Sequence, residues 1–323
     1  YKWARNSLGK GFLGPEINKA EDVFNVNDII HVSRVKDNIY NLEQVPKING
    51  AIIVMDPHSG RVFALSGGFD FNESNFNRAY QAKRQPGSSF KPFVYMSALE
   101  NGLQPNSLVL DAPFVLDQGK TLGKWKPENY GKKFYGPSTL RKGIENSRNL
   151  MTIRIAQYLG MDRITELAKR TDIMTNMPPV LSMALGAGET SLIQLTSAYA
   201  SLANGGMKVQ SSIIDRIQDR RGKNIFINGQ ASCENCNYPY IEEDPRPNVI
   251  SKSDVIFDEV NAYQMVSILK GAVDRGTGKK TKIDGIEIAG KTGTTNNNTD
   301  AWFIGFTSDI IVGVYAGYDI PES

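Results

Sequence analysis

RQPGSSFKPF, residues 84–93, is the stretch of sequence that decides the fold. Its Pro-Gly pair predicts a turn, and the apolar run that follows predicts a helix ending at Asn101-Gly102. Because proline is not tolerated deep inside a helix, Pro92 places the helix start close to Ser88. The positively polarised end of the helix then lies at Ser88, and Lys91 falls on the same face, within reach of its hydroxyl.

Ser88 is therefore a candidate nucleophile. A serine hydroxyl attacks a carbonyl group only when a base takes its proton. The sequence has only two histidines, His31 and His58, and neither lies in a catalytic context. Lys91 is the expected base, with a pKa lowered by burial and by a second cation, for which Lys291 is the natural residue.

Two further motifs follow along the chain. Ser147-Arg148-Asn149 precedes an amphipathic run, and Lys291-Thr292-Gly293-Thr294 lies in a strand-like stretch. Taken singly, each motif fits a structural interpretation, as a helix cap, a turn or the end of an edge strand. Their joint occurrence in the order S-x-x-K, S-x-N and K-T-G favours one shared catalytic site.

The composition is that of an ordinary globular protein. The 323 residues are 40% hydrophobic and 22% charged, and the formal net charge of +3 is too small to indicate a nucleic-acid partner. The longest apolar runs are too short to span a membrane. The length suits one large domain or two smaller ones.

Cys233 and Cys236 form the single C-x-x-C of the sequence. A zinc site needs four ligands, and neither a second cysteine pair nor a nearby histidine is present. A thioredoxin-like redox role would need a βαβ context, which the pattern lacks. We expect no bound metal, and of these alternatives we favour a small structural disulfide formed in an oxidising compartment.

Strand-like stretches lie at both ends of the chain, around a helical middle at about 88–205. The N-terminal region carries two short ones at 26–32 and 38–42, and a hairpin follows at 51–65. Three more strands are predicted at 286–294, 301–306 and 310–318. We predict an α/β fold of the α+β kind, with one five-stranded antiparallel sheet made from both chain ends and flanked by helices.

From about Lys47 onward, the sequence resembles the transpeptidase domain of class A penicillin-binding proteins, most of all the Gram-negative 1A type. Residues 1–45 resemble the end of the OB-like domain that precedes this domain, which would then occupy 46–323. The resemblance implies a penicillin-binding/serine β-lactamase-like fold with a mainly helical subdomain. Besides the three motifs, it rests on the segments 50–57, 76–79, 84–93, 125–130, 185–190, 275–278 and 300–306.

The resemblance implies a role for each catalytic residue. Ser88 is expected to attack the D-alanyl-D-alanine end of a peptidoglycan stem peptide, with Lys91 as base and Lys291 as the neighbouring cation. Ser147 would relay a proton to the leaving amine. Asn149 would bind Lys91 and the substrate amide.

The resemblance also implies the substrate contacts. The oxyanion hole would consist of the backbone N–H groups of Ser88 and Thr294. Thr292 and Thr294, with Lys291, would bind the terminal carboxylate of the substrate. Gly293 is expected to leave room for the acyl chain beside the strand.

The implied ligands are stem peptides ending in D-Ala-D-Ala and β-lactam antibiotics, and other cell-wall synthesis proteins are the implied partners. We expect no cofactor. The family's membrane anchor and glycosyltransferase domain have no counterpart in these residues. We therefore expect a fragment without glycosyltransferase activity. Its expected location is the periplasmic side of the bacterial inner membrane, and only an anchor upstream of these residues would attach the protein to the membrane.

Two other functions stay open on the same fold. A class A serine β-lactamase needs a glutamate that activates the deacylating water, and the candidate, Glu189, lies in a segment that resembles penicillin-binding proteins instead. A non-catalytic β-lactam sensor would not need the complete set of catalytic residue types. A transpeptidase, related in its chemistry to D,D-carboxypeptidases, is the favoured hypothesis.

Overall fold

The computed structural model describes residues 4–5, 14–119, 123–228, 231–234, 248–251, 253–295 and 299–320. These residues divide into two compact units, Tyr1–Lys47 and Ile48–Ser323. Cys236 and the side chain of Cys233 lie outside the described residues, so the disulfide stays a prediction.

The first unit contains a hairpin of β1 (His31–Lys36) and β2 (Ile39–Glu43). Asn38, in the tight turn between them, has a φ of 59°, as hairpin turns require. The strand predicted at 26–32 is wrong for its first five residues. Asn27 has a φ of 82°, and the backbone N–H of Asn25 donates to the Asp28 carboxylate at 2.7 Å, so a turn precedes β1.

The secondary structure of the second unit follows the predicted order of strands, helices and strands. Its strands are β3 (Ile48–Met55), β4 (Val62–Ser66), β5 (Leu108–Asp111), β6 (Leu116–Asp117), β7 (Lys124–Trp125), β8 (Gly136–Thr139), β9 (Arg216–Gln218), β10 (Asn224–Ile227), β11 (Ala231–Glu234), β12 (Asn248–Ser251), β13 (Ala289–Thr294), β14 (Asp300–Phe306) and β15 (Ile311–Tyr318). Its helices are α1 (Lys91–Glu100), α2 (Leu140–Glu145), α3 (Asn149–Leu159), α4 (Met161–Arg170), α5 (Leu192–Ala203) and α6 (Glu259–Asp274).

One five-stranded antiparallel sheet, in the order β13-β14-β15-β3-β4, is the largest in the described residues. β15 pairs with β3, which places Val314 opposite Ile52 and joins the two ends of the unit. The predicted α+β fold with this sheet is confirmed. β13 begins three residues later than predicted, because Ile286 instead pairs with Ile283 across a turn at Gly285.

Helix α1 lies at the centre of the hydrophobic core. Every residue from Lys91 to Leu99 is buried, as is typical of a helix that lacks a polar face. The helix follows a 3₁₀ turn at Gly87–Phe90 and carries Pro92 in its first turn, so it starts close to Ser88 as predicted. α5 packs on β15 and α6 on β13, which brings the sheet against α1.

No helix within the described ranges combines the length and the apolar character needed to cross a membrane.

Candidate active site

Ser88 lies half-buried on the 3₁₀ turn before α1. Two hydrogen bonds hold the turn in place. The Tyr199 hydroxyl donates to the carbonyl oxygen of Ser89 at 2.5 Å, and the Ser89 hydroxyl donates to the carbonyl oxygen of Pro86 at 2.7 Å. These two bonds therefore fix the backbone around Ser88, and neither of them uses the Ser88 hydroxyl.

Lys91 and Lys291 are both fully buried and both contact Ser147. The Nζ atom of Lys91 donates to the carbonyl oxygen of Ser147 at 2.7 Å and to Oδ1 of Asn149 at 2.6 Å, and lies 3.2 Å from the Ser147 Oγ. The Nζ atom of Lys291 lies 3.1 Å from the same Oγ and donates to the Thr292 carbonyl oxygen at 2.9 Å. The motif residues Lys91, Ser147, Asn149 and Lys291 thus form one hydrogen-bonded group.

The burial of these two amines changes their basicity. Burial, and secondly the charge of Lys291, lower the pKa of Lys91 well below the ordinary 10.5. Burial lowers the pKa of Lys291 to about 7. An uncharged amine can accept a proton, so this pair supplies a base near neutral pH.

Ser88 and Lys91 are neighbours across the first turn of α1, but the hydrogen bond between their side chains is absent among the described residues. Lys91 instead directs its protons to Ser147 and Asn149. Catalytic hydrogen bonds often form only when substrate is bound.

Glycines allow three backbone segments to pack directly on one another beside Ser88. Gly87 has a φ of 52°, and a Cβ there would clash with the carbonyl oxygen of Thr294. Gly186 has a φ of 79°, and a Cβ there would clash with the carbonyl oxygen of Gly87. The turn that carries Ser88 therefore lies against the K-T-G strand, with the backbones of Ser88 and Thr294 on adjoining segments.

Gly293 faces the turn rather than open space. A Cβ on Gly293 would clash with the carbonyl oxygen of Pro86 and would lie 2.8 Å from the Ser89 hydroxyl oxygen. The absent side chain makes room for the turn that carries Ser88, and the expected role toward the acyl chain stays a prediction. Because strand residues alternate between faces, Thr292 and Thr294 project to the opposite side from Gly293.

The segment 275–278 connects the S-x-N and K-T-G motifs, a role that the sequence analysis did not assign to it. The Thr277 hydroxyl lies 3.0 Å from the Thr292 hydroxyl, and the Thr277 backbone N–H donates to the Glu145 carbonyl oxygen at 3.0 Å. The Arg275 guanidinium forms an ion pair with the buried Glu145 carboxylate. In the sequence, this segment contributed only to the family resemblance and gave no sign of its partners.

A cleft of about 230 Å³ opens beside the turn and the strand. Thr294 and Asn149, which belong to the motifs, line it, and Trp125 lines it while packing its ring against Phe114. Polar residues that the sequence analysis did not single out also line the cleft; they are Gln85, Glu128, Ser182 and Thr295. Glu189 is exposed and lines a different cavity.

The described residues contain no group of three or more His, Cys, Asp and Glu side chains placed to hold a metal ion.

Comparison with known families decides what this site belongs to. The model of the penicillin-binding protein transpeptidase domain matches residues 50–316, and the model of the penicillin-binding protein OB-like domain matches residues 1–48. The chain belongs to the penicillin-binding protein transpeptidase family.

Similar penicillin-binding proteins include two 1A proteins. Penicillin-binding protein 1A of Rickettsia typhi is 45% identical over 323 residues, which cover 99% of this chain and 40% of that protein. Penicillin-binding protein 1A of Pseudomonas aeruginosa is 37% identical over 358 residues, covering 100% of this chain and 43% of that protein. The resemblance to 1A-type penicillin-binding proteins is therefore confirmed, and the chain spans about two fifths of the length of these relatives.

Solved penicillin-binding protein structures share the fold. The crystal structure of penicillin-binding protein 1A from Haemophilus influenzae superposes with a TM-score of 0.79 at 32% identity, covering 90% of this chain and 46% of that one. PonA1 from Mycobacterium tuberculosis, in complex with penicillin V, superposes with a TM-score of 0.70 at 24% identity, covering 86% of this chain and 72% of that one.

Proposed function

We propose that this chain is a peptidoglycan D,D-transpeptidase that cross-links stem peptides through a Ser88 acyl-enzyme and is acylated by β-lactams. The observation that carries the proposal is the pair of buried lysines that share the Ser147 hydroxyl beside the turn of Ser88. Neither lysine interacts with a carboxylate within the part of the chain that the structure describes. Such a pair provides a neutral amine as base and a cation for an anionic substrate.

In the first half-reaction, the neutral amine of Lys91 takes the proton of the Ser88 hydroxyl. The Ser88 Oγ forms a bond to the carbonyl carbon of the penultimate D-alanine. The bond from that carbon to the nitrogen of the terminal D-alanine then breaks. The Ser147 hydroxyl, which lies between the two lysine amines, passes its proton to the departing nitrogen and takes from Lys91 the proton that came from Ser88, so Lys91 is neutral again.

The oxyanion formed at the attacked carbonyl is bound by the backbone N–H groups of Ser88 and Thr294. The packing of Gly87 against Thr294 supports this assignment, because it sets the two segments side by side. Thr292, Thr294 and the charged form of Lys291 bind the terminal carboxylate of the substrate. Loss of one oxyanion donor costs about 2.7–4 kcal/mol in a comparable enzyme.

In the second half-reaction, the amine of another stem peptide attacks the acyl-enzyme and releases Ser88. Water in the place of that amine gives carboxypeptidase activity instead. A β-lactam resembles the D-Ala-D-Ala end and leaves Ser88 acylated. The solved PonA1 complex with penicillin V supports this proposal by its shared fold.

The whole protein is proposed to act at the periplasmic side of the bacterial inner membrane, together with other cell-wall synthesis proteins. Within this chain, we assign residues 46–323 to the transpeptidase domain and residues 1–45 to the end of an OB-like module. The family matches at 50–316 and 1–48 support these assignments.

Intact mass spectrometry after brief incubation with benzylpenicillin tests the proposal. We expect a single adduct that maps to Ser88, is absent from Ser88→Ala and decays over hours. Lys91→Ala should slow acylation by about a hundredfold or more, since it removes the base. Rapid hydrolysis of the drug without an adduct would indicate a β-lactamase, and an adduct on another residue would contradict the assignment of the nucleophile.

A further inference from the structure

Asn129 caps helix α3, which begins at Asn149. The side-chain oxygen of Asn129 accepts hydrogen bonds from the backbone N–H groups of Asn149 at 2.9 Å and Leu150 at 3.3 Å. The helix's own N-cap residue, Arg148, makes no such side-chain bond. The first backbone N–H groups of a helix have no partner within it, so the cap that α3 needs comes from a distant loop.

Contacts on both sides of the Asn129 amide, Asp111 among them, fix which way round it stands. The Nδ2 atom of Asn129 donates to Oδ1 of Asp111 at 2.7 Å and to the carbonyl oxygen of Lys133 at 2.9 Å. Turning the amide over would set its oxygen against the Lys133 carbonyl oxygen, which only accepts hydrogen bonds, and against Asp111. Asp111 is fully buried, and the Arg148 guanidinium lies 3.6 Å from its other oxygen.

Asn149 is held at both its backbone and its side chain. Its backbone N–H binds Asn129, and its side-chain NH₂ group donates to the carbonyl oxygen of Glu128 at 2.7 Å. The remaining atom of the amide, Oδ1, accepts from the Lys91 amine at 2.6 Å. Contacts of 2.6–2.9 Å thus connect Asp111 through Asn129 and Asn149 to Lys91.

We propose that Asn129 is a positioning residue for the base, and that Asp111 helps to set the orientation in which it acts. Asn129 touches neither the nucleophile nor Lys91, and it works by fixing where Asn149 presents its oxygen to the Lys91 amine. The inference rests on the proposed function, because it assumes that Lys91 activates Ser88. Its consequence is that the orientation of one buried amide controls the acylation rate.

The test uses an exchange of the two partners in the full chain. Asn129→Asp removes the amide donor and sets two carboxylates against each other. The double variant Asp111→Asn, Asn129→Asp restores an amide donor facing a carboxylate, with the partners exchanged, and keeps an acceptor for the N–H groups of α3. The bond to the Lys133 carbonyl oxygen is the one contact that it does not restore. The matched control is Asn146→Asp, an exposed site beside Ser147 whose amide donates to the Lys142 carbonyl oxygen at 3.1 Å.

The measurement is the acylation rate constant with a fluorescent penicillin, expressed per molecule that can be labelled, together with the thermal unfolding midpoint. We expect Asn129→Asp to slow acylation about tenfold or more. The acylation rate of the double variant should return to within about threefold of the parent rate. The control Asn146→Asp should change the rate less than about twofold. A purely structural role would lower the labelled fraction and the midpoint, but not the rate per labelled molecule.

An Asn129→Asp variant that reacts as fast as Asn146→Asp would overturn the inference. So would a double variant that regains the unfolding midpoint but not the rate. Should Asn129→Asp fail to fold, the rate of the double variant decides. Should both fail to fold, Asp111→Asn alone decides, because it weakens an acceptor that holds the Asn129 NH₂ group and should slow acylation about threefold or more. If the parent chain is not labelled at Ser88, the proposed function itself fails, which is a different result.

Discussion

The amines of Lys91 and Lys291 meet at a single atom, the hydroxyl oxygen of Ser147, at 3.2 and 3.1 Å. Ser147 has a φ of 56°, a backbone conformation that residues other than glycine rarely adopt. This conformation accompanies the second contact of Ser147 with Lys91, through its carbonyl oxygen at 2.7 Å. Two buried cations on one hydroxyl repel each other, so the site favours a state in which one amine is uncharged.

The rate of acylation of Ser88 is expected to rise with pH. This rising limb of the pH profile should lie far below pH 10.5. Lys91 must lose its proton to act as a base, and burial together with the charge of Lys291 lowers its pKa. Lys291→Met removes that charge, so the pKa of Lys91 should rise and the limb should move to higher pH. Acylation rates with benzylpenicillin across pH provide the measurement. Lys291→Arg, which keeps the charge, is the control, and an unmoved limb in Lys291→Met would refute the coupling.

Burial of Lys291 is expected to make stability depend on pH. Its pKa falls from 10.5 to about 7 on folding, so between these values the unfolded chain holds a proton that the folded chain lacks. The free energy of unfolding therefore rises with pH in this window, by at most about 1.4 kcal/mol per pH unit. Urea unfolding at several pH values, compared with Lys291→Met, measures the difference. Parallel curves for the two proteins would show that Lys291 is not the cause.

Gly87→Ala is expected to reduce acylation by about a hundredfold or more. The new Cβ would clash with the Thr294 carbonyl oxygen and push the K-T-G strand away from the turn of Ser88, which disturbs the oxyanion donors. Gly102→Ala is a matched control, because Gly102 also has a positive φ, of 88°, but has open space around it. Acylation rates of the two folded variants give the comparison. Equal rates would mean that backbone strain, not the approach to Thr294, matters at Gly87.

Thr277→Val is expected to slow acylation about two- to tenfold. The substitution keeps the shape of the side chain but removes the hydroxyl that lies 3.0 Å from the Thr292 hydroxyl, a contact of about 0.5–1.5 kcal/mol. Thr281→Val, which removes a bond to the Gly278 carbonyl oxygen at 2.7 Å, is the control. The two acylation rate constants provide the measurement. If both variants lose the same rate, the contact between the two threonines does not orient Thr292.

The patterns that were read correctly from the sequence are local ones. Apolar runs rich in aromatic and β-branched residues marked β14 and β15, and a proline near the start of an apolar run marked the beginning of α1. Such patterns reflect which residues of a strand or helix are buried in the core. They can therefore be recognised from residues that are neighbours in the sequence. The error at 26–32 also comes from relying on a local pattern. The run contains apolar residues as a strand does, but Asn27 has a φ of 82° and the backbone turns there.

The sequence by itself determined the family, the antiparallel sheet drawn from both chain ends, and the three motifs that carry the candidate chemistry. Only the tertiary structure decided how the motif residues are held. It showed that Gly293 faces the turn of Ser88, that Thr277 contacts Thr292, and that the Asn129 side chain accepts a hydrogen bond from the Asn149 backbone. The physical reason is that a hydrogen bond depends on where distant segments meet, and no local periodicity records which buried amide will face which carboxylate.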